Sequence, residues 1–263
     1  MSTEGATESA GDAGGGVSAP LIDYTAEAAV YDETRGGVPR AAAAAAAVLS
    51  LVPPGAGTLL DVACGTGLVT ERLARPGLRV TGTDRAHGMA RTAVGRLPGA
   101  VVLGDSRQLP FGDAVFDAVT AVWLLHLVPE AEQIVAECAR VLRPGGVLVT
   151  TVDKDAGHDV GCDIDALLAP HLRPEVYDRA DLVEAHARAR GLTVAGEARF
   201  TGHGQGRTPR RTAWAVREGR YAARLALSPA GTRELADRID ALPDPGLARP
   251  EPRFRVLGLR KGS

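Results

Sequence analysis

The chain has 263 residues, of which 45% are hydrophobic, 4% aromatic and 24% charged, and its formal net charge at pH 7 is −2. This size and composition are typical of one globular domain, with or without an inserted cap, and exclude a chain that is disordered throughout. The near-neutral charge and the few aromatic side chains disfavour binding to nucleic acid or to an anionic membrane surface, so we expect neither among the partners.

The cysteines and the N-terminal sequence indicate a reducing compartment. Cys64, Cys138 and Cys162 are odd in number, widely spaced and form no CxxC pair, which argues against a disulfide framework or a thiolate zinc site. The N-terminus has no basic segment followed by an apolar one, as a secretory signal requires. The longest apolar run, Ala41–Val52, is too short to span a bilayer. We therefore predict a cytoplasmic protein.

The first fifty residues predict a tail followed by helices. Residues 1–20 are rich in Gly, Ser, Ala and Thr and lack apolar periodicity, so we predict a disordered tail there and a single domain over 21–263. Two helices are predicted, Ala26–Tyr31 and the alanine-rich Ala41–Leu51, separated by the Gly36–Pro39 segment.

From Gly57 onward, short apolar runs alternate with helical segments. The predicted strands are Thr58–Ala63, Leu78–Thr83, Ala100–Leu103, Phe116–Val122 and Gly146–Val152. The predicted helices between them are Leu68–Ala74, Gly88–Gly95 and Glu130–Leu142. Strands that read as continuous apolar runs are buried on both faces, and their alternation with helices predicts an α/β fold with a doubly wound, mostly parallel sheet.

The C-terminal third has a different pattern. Its predicted helices are Asp181–Arg190, Arg211–Leu225 and Pro229–Leu242, and its predicted strands are Leu192–Thr201 and Phe254–Arg260. The last strand alternates only loosely, which fits an antiparallel strand added to the parallel sheet.

The segment Leu59–Gly67 predicts a strand, a tight turn and a helix. Gly65 and Gly67 allow backbone angles and a close ligand approach that a Cβ would block. A dinucleotide fingerprint needs a third Gly or Ala where this chain has Thr70, and a P-loop needs a GK[ST] sequence that is absent. Asp61 would repel a pyrophosphate but suits a cofactor that carries an ammonium and a sulfonium.

Acidic residues follow three successive predicted strands. Asp61 precedes the glycine turn, Asp84 ends the second strand and Asp105 follows the third. Taken singly, each suits a turn or a helix cap. Taken together, Asp84 is placed to bind both hydroxyls of a ribose and Asp105 to accept the exocyclic amine of an adenine. The pattern therefore favours an adenosyl group without phosphates.

The chain resembles the class I S-adenosylmethionine-dependent methyltransferases, in particular the small-molecule group that includes ubiquinone/menaquinone-type enzymes. The resemblance covers about residues 55–155 and is carried, in order, by LLDVACGTG, VTGTDRAHGMA, GDSRQLPF, FDAVTAVWLLHLV and RVLRPGGVLV. Upstream, YDETRGG at 31–37 is similar to a segment of many such enzymes. Residues 156–250 match loosely, as a substrate-specific region would. The resemblance implies a seven-stranded Rossmann-like sheet with an antiparallel C-terminal strand.

The resemblance also implies a cofactor site, with S-adenosylmethionine as the cofactor. Tyr31 and Arg35 would close over it, and Asp61 with the turn would hold its methionine part. Asp84 would bind the ribose. The remaining implied contacts are Arg85 and Met89 beside the adenine, Asp105 and Ser106 at the adenine edge, Ala121 and Val122 below the sulfonium, and Ala63, Cys64, Gly65 and Gly67 in the turn itself.

Ala63 departs from the family pattern of the turn, and Cys64 brings a thiol into it. The family usually has Gly where this chain has Ala63, and a methyl group there is tolerated if the φ angle is negative. Cys64 is interpreted as a small hydrophobic residue and not as a nucleophile.

His126 is the candidate catalytic residue, at the start of the helix predicted after the fourth strand. Methyl transfer from a sulfonium needs alignment more than a base, but a phenol acceptor would benefit from a neutral imidazole. The alternative is a packing role for His126. His158, His171, His186 and His203 lack the spacing of metal ligands, so we predict no metal site.

The leading hypothesis is a methyltransferase acting on an O, N or C atom of a small molecule. The Ala-, Arg- and Gly-rich composition is associated with bacteria in which such enzymes tailor secondary metabolites, and a monomer or homodimer is expected. The alternatives are a methyltransferase-like protein that catalyses cyclisation or another rearrangement, an NAD-dependent oxidoreductase, which Thr70 and Asp61 disfavour, and a non-enzymatic binding protein that has kept the fold.

Overall fold

The structure is a computed structural model that describes residues 25, 28, 30–174, 176–222 and 224–263. The tail predicted at 1–20 and most of the helix predicted at Ala26–Tyr31 lie outside these residues.

Seven strands form one sheet in the order β3-β2-β1-β4-β5-β7-β6. Their bounds are β1 Thr58–Val62, β2 Arg79–Asp84, β3 Val101–Leu103, β4 Phe116–Ala121, β5 Leu142–Val152, β6 Leu192–Thr201 and β7 Arg253–Lys261. Strands β1 to β5 pair in parallel, whereas β7 runs antiparallel to both β5 and β6. The predicted fold class is confirmed. Because the strand order reverses between β1 and β4, the edge of the sheet opens a crevice after these two strands.

The helices agree with the sequence pattern where that pattern is long and periodic. They are α1 Tyr31–Thr34, α2 Gly37–Leu51, α3 His87–Arg96, α4 Ala131–Val141, α5 Lys154–His158, α6 Asp163–Leu168, α7 Ala180–Arg188, α8 Pro209–Arg217 and α9 Pro229–Asp240. The short helices α5 and α6 were not predicted, since neither is long enough to show a periodicity.

Three helix predictions were wrong in extent. Helix α2 starts at Gly37, so Pro39 lies in its first turn, where the missing N–H of a proline leaves no bond unmade. The predicted helix Leu68–Ala74 is only a 3-10 turn at Thr70–Leu73. Helix α8 stops at Arg217 and Gly219 follows with a φ of 69°, whereas the prediction continued to Leu225.

Successive residues of the central strands bury their side chains in two separate cores. Leu59 and Val147 pack on the face that the alanine-rich helix α2 covers, and Leu60 and Leu148 pack on the face that α4 and α7 cover. Both faces of the central strands are therefore apolar, which explains why these strands read as continuous hydrophobic runs.

Helices α6, α8 and α9 pack together in a third cluster beside the sheet. Its buried residues are Ile164, Leu168, Ala213, Val216, Leu225, Leu235, Ala236 and Ile239. An ion pair between Arg249 and Asp163, 2.6 Å between nitrogen and oxygen, ties this helical cap to the segment that precedes β7. The cap is assembled from the loosely matching part of the sequence.

Candidate active site

A pocket of about 520 Å³, including its solvent-open part, lies at the carboxyl ends of β1 and β4, beneath α1 and the start of α2. It is lined by Tyr31, Asp32, Arg35, Gly37, Arg40, Ala41, Asp61, Ala63, Cys64, Gly65, Thr66, Leu68, Val69, Val122 and Trp123. Its size and its position at the reversal of strand order are those of a cofactor site in an open α/β sheet.

The glycine turn between β1 and the 3-10 turn forms one wall of this pocket. Gly65 and Gly67 have φ angles of 57° and 78°, a region that favours glycine. A Cβ on Gly67 would lie 3.1 Å from the Cβ of Ala93, so this glycine also allows α3 to pack closely. A Cβ on Gly65 would meet nothing within 4 Å. The backbone at Gly65 is therefore open to a ligand.

The φ angle of Ala63 does not meet the condition under which a methyl group is tolerated at this position. The observed φ is 57°, in the left-handed region that a Cβ disfavours by about 1–2 kcal/mol. Trp123 and Asp153 have φ angles of 57° and 52°. Ala63, Trp123 and Asp153 follow the adjacent strands β1, β4 and β5, so strained backbone is concentrated along the edge of the sheet at the pocket.

Asp61 is buried at the base of the pocket, and threonine hydroxyls hold both of its carboxylate oxygens. Thr120 Oγ1 donates to Oδ1 at 2.7 Å, and Thr70 Oγ1 donates to Oδ2 at 2.6 Å. Burial raises the pKa of Asp61 to about 6, and the two hydroxyls oppose that rise. Thr70, which stands where a dinucleotide-binding protein has a small residue, thus positions a negative charge beneath the glycine turn.

Asp84 and Asp105 end neighbouring strands but differ in their surroundings. Asp84 is buried and accepts the backbone N–H groups of Gly65 and Ala86, each at 2.8 Å, so it braces the glycine turn. Asp105 is more exposed, and Arg107 donates to both of its oxygens. These hydrogen bonds from Arg107 lower the pKa of Asp105 to about 2. Arg107 was not among the predicted site residues.

Helix α1 is fastened to the glycine turn through Asp32. Its carboxylate accepts the hydroxyl of Thr66 at 2.6 Å and the guanidinium of Arg96 at 2.7 Å. Arg96 also donates to the backbone oxygen of Thr66 at 2.6 Å. This arrangement holds the predicted cofactor residues Tyr31 and Arg35 over the pocket.

Arg40 and Trp123 form the wall opposite the glycine turn. The Arg40 guanidinium lies 3.5 Å from the centroid of the Trp123 ring and donates to the backbone oxygen of Arg35 at 2.6 Å. Arg40 is buried, and burial lowers its pKa to about 10. The sequence did not single out Arg40, because a buried arginine within an alanine-rich helix has no local signal.

The structure brings half of the predicted cofactor residues to one pocket. Those lining it are Tyr31, Arg35, Asp61, Ala63, Cys64, Gly65 and Val122. Gly67, Asp84, Arg85, Met89, Asp105, Ser106 and Ala121 do not line it. Among the latter, Arg85 is exposed, Ser106 is half-buried, and Met89 and Ala121 are buried. Burial raises the pKa of the free Cys64 thiol far above its usual range, which leaves Cys64 unreactive.

His126 lies in a 3-10 turn at Leu125–Leu127, whereas the prediction placed it at the start of a helix. Its Nδ1 is buried without a hydrogen-bond partner. Burial, together with the positive charges of Lys154 and Arg224, lowers the pKa of His126 well below its usual value. The imidazole is therefore neutral at pH 7 and free to donate or accept one hydrogen bond at Nδ1.

The described part of the chain contains neither a metal-binding cluster nor a membrane-spanning helix. No three His, Cys, Asp or Glu side chains there are grouped so as to hold a metal ion. None of the helices in that part is long and apolar enough to cross a membrane.

Residues 60–150 match the model of the methyltransferase domain family, and this segment includes the glycine turn, Asp61, Asp84 and Asp105. The chain is 42% identical over 98 residues to the ubiquinone/menaquinone biosynthesis C-methyltransferase of Desulfotalea psychrophila, covering 35% of this chain and 40% of the relative. It is 42% identical over 97 residues to the demethylmenaquinone methyltransferase of Thermobifida fusca, covering 35% and 41%. The chain thus spans about two fifths of the length of these curated relatives.

Solved structures share the fold over most of the chain. The cyclase SpnF aligns with a TM-score of 0.58 at 21% identity, covering 91% of this chain and 93% of SpnF. An S-adenosylmethionine-dependent methyltransferase of Methanosarcina mazei aligns with a TM-score of 0.51 at 16% identity, covering 81% and 95%. The predicted resemblance to class I S-adenosylmethionine-dependent methyltransferases is confirmed, since residues 60–150 match the methyltransferase domain and the matching relatives include quinone-type methyltransferases.

Proposed function

We propose that the protein transfers a methyl group from S-adenosylmethionine to an O, N or C atom of a small molecule. The observation that carries this proposal is the single pocket that joins the glycine turn, the buried Asp61 and the α1 segment at the reversal of strand order. The family match of residues 60–150 supports the cofactor, because it covers the acids after β1, β2 and β3.

The charges on the pocket walls complement the methionine part of this cofactor. Asp61 provides negative charge below the turn for the ammonium and sulfonium groups. Arg35 and Arg40 provide positive charge on the opposite wall, where they suit the α-carboxylate. In this proposal Tyr31 closes the pocket, and the turn residues Ala63, Cys64, Gly65 and Gly67 shape its wall.

The adenosyl part would extend from the pocket along the ends of β2 and β3. Asp84 would bind the ribose hydroxyls, with Arg85 and Met89 beside the adenine. At the adenine edge, Asp105 would accept a hydrogen bond and Ser106 would donate one. Because Arg107 already donates to both oxygens of Asp105, the adenine amine would use the lone pairs that remain.

The sulfonium supplies an already activated methyl carbon, so the protein has to align the acceptor and exclude water. Ala121 and Val122 end β4 below the proposed position of the sulfonium, and Trp123 closes that side of the pocket. His126 would take a proton from an acceptor hydroxyl at Nδ1, which has no competing partner. Burial and, after it, the cationic neighbours lower the pKa of His126 and make it a weak base, which negative charge in the site would strengthen.

The proposal extends to the acceptor, the oligomeric state and the location of the protein. We propose a secondary-metabolite acceptor and a monomer or homodimer, as expected from composition and resemblance. The free thiols of Cys64, Cys138 and Cys162 support a reducing, cytoplasmic location.

Calorimetric titration with S-adenosylhomocysteine, the demethylated cofactor, tests the proposal. The same titration of the Asp84→Ala variant tests the assignment of Asp84 to the ribose. Loss of a charge-assisted hydrogen bond to the ribose costs about 1.5–3 kcal/mol of binding free energy, so the dissociation constant should be roughly 10- to 150-fold larger. Asp113→Ala is the matched control, because Asp113 is exposed and pairs only with Arg140 among the described residues.

No binding at millimolar cofactor would contradict the proposal, and unchanged affinity in Asp84→Ala would contradict the ribose assignment. With an acceptor in hand, mass spectrometry of the product distinguishes methyl transfer from cyclisation, since only the former adds a CH₂ unit.

A further inference from the structure

A second group of polar side chains lies after β4 and β5, beyond the residues assigned to the cofactor. Lys154 and His158 are on α5, His126 follows β4, and Arg224 reaches in from the cap after α8. Arg224 pairs with Asp155 of α5 at 2.9 Å, and the strands that precede His126 and α5 are neighbours in the sheet, so the four side chains lie at one end of the sheet.

This cationic site adjoins the cofactor pocket through a chain of ring contacts. The ring of His158 packs edge-on against Phe254 with 5.2 Å between centroids, and Phe254 packs against Trp123 with 5.8 Å between centroids. Trp123 lines the cofactor pocket beneath Arg40. The cationic site is therefore connected to the cofactor pocket through Phe254 and Trp123.

Several buried nitrogens around the site have no hydrogen-bond partner. They are Nε of Arg224, Nε1 of Trp123 and Nδ1 of His126. Two of these nitrogens can only donate, and the third donates in one tautomer. Buried donors without partners cost free energy, so the site is suited to a ligand rich in acceptor oxygens.

The carboxylates nearby form an ion pair with Arg224 but not with Lys154. Asp155 pairs with Arg224 at 2.9 Å, and Asp178 accepts the backbone N–H of Lys154 at 3.0 Å. Lys154 itself forms no ion pair with any described carboxylate. Burial, followed by the charge of Arg224, lowers the pKa of Lys154 to about 8.

We infer that the methyl acceptor is an acid whose carboxylate or phosphate binds between Lys154 and Arg224, with His126 and His158 alongside. This inference rests on the proposed function, since it assigns the substrate class of the same site. The anion would supply the acceptor oxygens that the buried donors lack, and it would pair with the ammonium of Lys154. Charge pairing at this end of the acceptor would leave its reactive atom toward Trp123 and the cofactor pocket.

The experiment uses benzoate and phenyl phosphate as anionic probes and benzamide as their neutral match. Trp214 is exposed on the cap, so a Trp214→Phe background leaves Trp123 as the only tryptophan to report binding by fluorescence. In protein saturated with S-adenosylhomocysteine, we expect benzoate or phenyl phosphate to bind at least about tenfold more tightly than benzamide. Whichever of the two anions binds more tightly shows whether the site prefers a carboxylate or a phosphate.

Lys154→Met should reduce this preference about tenfold and leave benzamide binding unchanged, whereas Lys154→Arg should retain most of it. Arg217→Met, which removes an exposed cation of the cap that pairs with Asp237, is the matched control and should bind like the parent. If Lys154→Met does not fold, Lys154→Gln replaces it.

Equal binding of benzoate, phenyl phosphate and benzamide would overturn the inference, as would an anion preference that survives loss of the Lys154 charge. Failure of S-adenosylhomocysteine to bind contradicts the proposed function separately. In that case the same titrations of the unloaded protein still decide whether the anion site exists.

Discussion

At the scale of single residues, Ala63 combines a strained backbone with a place at the cofactor pocket. Because its φ angle is 57°, Ala63→Gly should raise the free energy of unfolding by about 1 kcal/mol, measured by urea denaturation. Removing the methyl group should also tighten binding of S-adenosylhomocysteine. A loss of stability would show that the strain at this position is not real.

Ala114 provides the matched control for this substitution. It also has a positive φ angle, 54°, but it lies exposed before β4 and away from the pocket. Ala114→Gly should stabilise the protein by a similar amount and leave cofactor affinity unchanged. A change in affinity in both variants would mean that the effect is not local to the glycine turn.

Asp61 should make cofactor binding depend on pH. Burial raises its pKa to about 6 from an unfolded value of 3.8, so the carboxylate loses its charge as the pH falls through about 6. We expect calorimetry to show roughly tenfold weaker binding of S-adenosylhomocysteine at pH 5 than at pH 7. In Asp61→Asn this part of the pH dependence should disappear.

The stability of the unbound protein should depend on pH in the direction opposite to that of cofactor binding. Because the folded state holds the Asp61 proton more tightly than the unfolded state, the contribution of Asp61 to stability is full below about pH 4 and is lost as the pH rises through about 6. Burial also raises the pKa of Asp84, so the contribution of Asp84 to stability depends on pH in the same direction. A stability contribution from Asp61 that grows with pH would contradict the assignment.

At the scale of elements, helix α1 covers the pocket because Asp32 holds it to Thr66 and Arg96. Asp32→Ala should speed the release of S-adenosylhomocysteine about tenfold and increase hydrogen exchange over 31–37, because two charge-assisted or short hydrogen bonds are lost. Glu33→Ala changes an exposed carboxylate of the same helix and should behave like the parent. Equal release rates in the two variants would show that α1 does not retain the cofactor.

The sequence predicted elements well where packing and pattern agree. Strand β6 has the predicted bounds, and helices α3 and α4 differ from their predicted bounds by a single residue at each end. The predictions were poorest between β1 and β2, where a helical pattern forms only a 3-10 turn. There Thr70 has to reach Asp61 at 2.6 Å, and that tertiary contact was not visible in the local sequence.

At the scale of the whole molecule, the cofactor should stabilise the folded chain. A ligand that binds only the folded state at 100 times its dissociation constant adds about 2.7 kcal/mol, which for a chain of this size raises the melting temperature by roughly 5–10 °C. We expect this shift in a thermal melt with S-adenosylhomocysteine. NAD is the control: a comparable shift with NAD would favour the oxidoreductase alternative.

The sequence by itself determined the parallel sheet, the glycine turn and the three acids at successive strand ends, because each follows from residues close together in the chain. Only the tertiary structure decided that β7 inserts between β5 and β6, and that Ala63 has a positive φ angle. The same holds for the cationic site, whose members Lys154 and Arg224 are far apart in the sequence. Such features depend on long-range packing and on charge burial, for which a single chain segment carries no periodic signal.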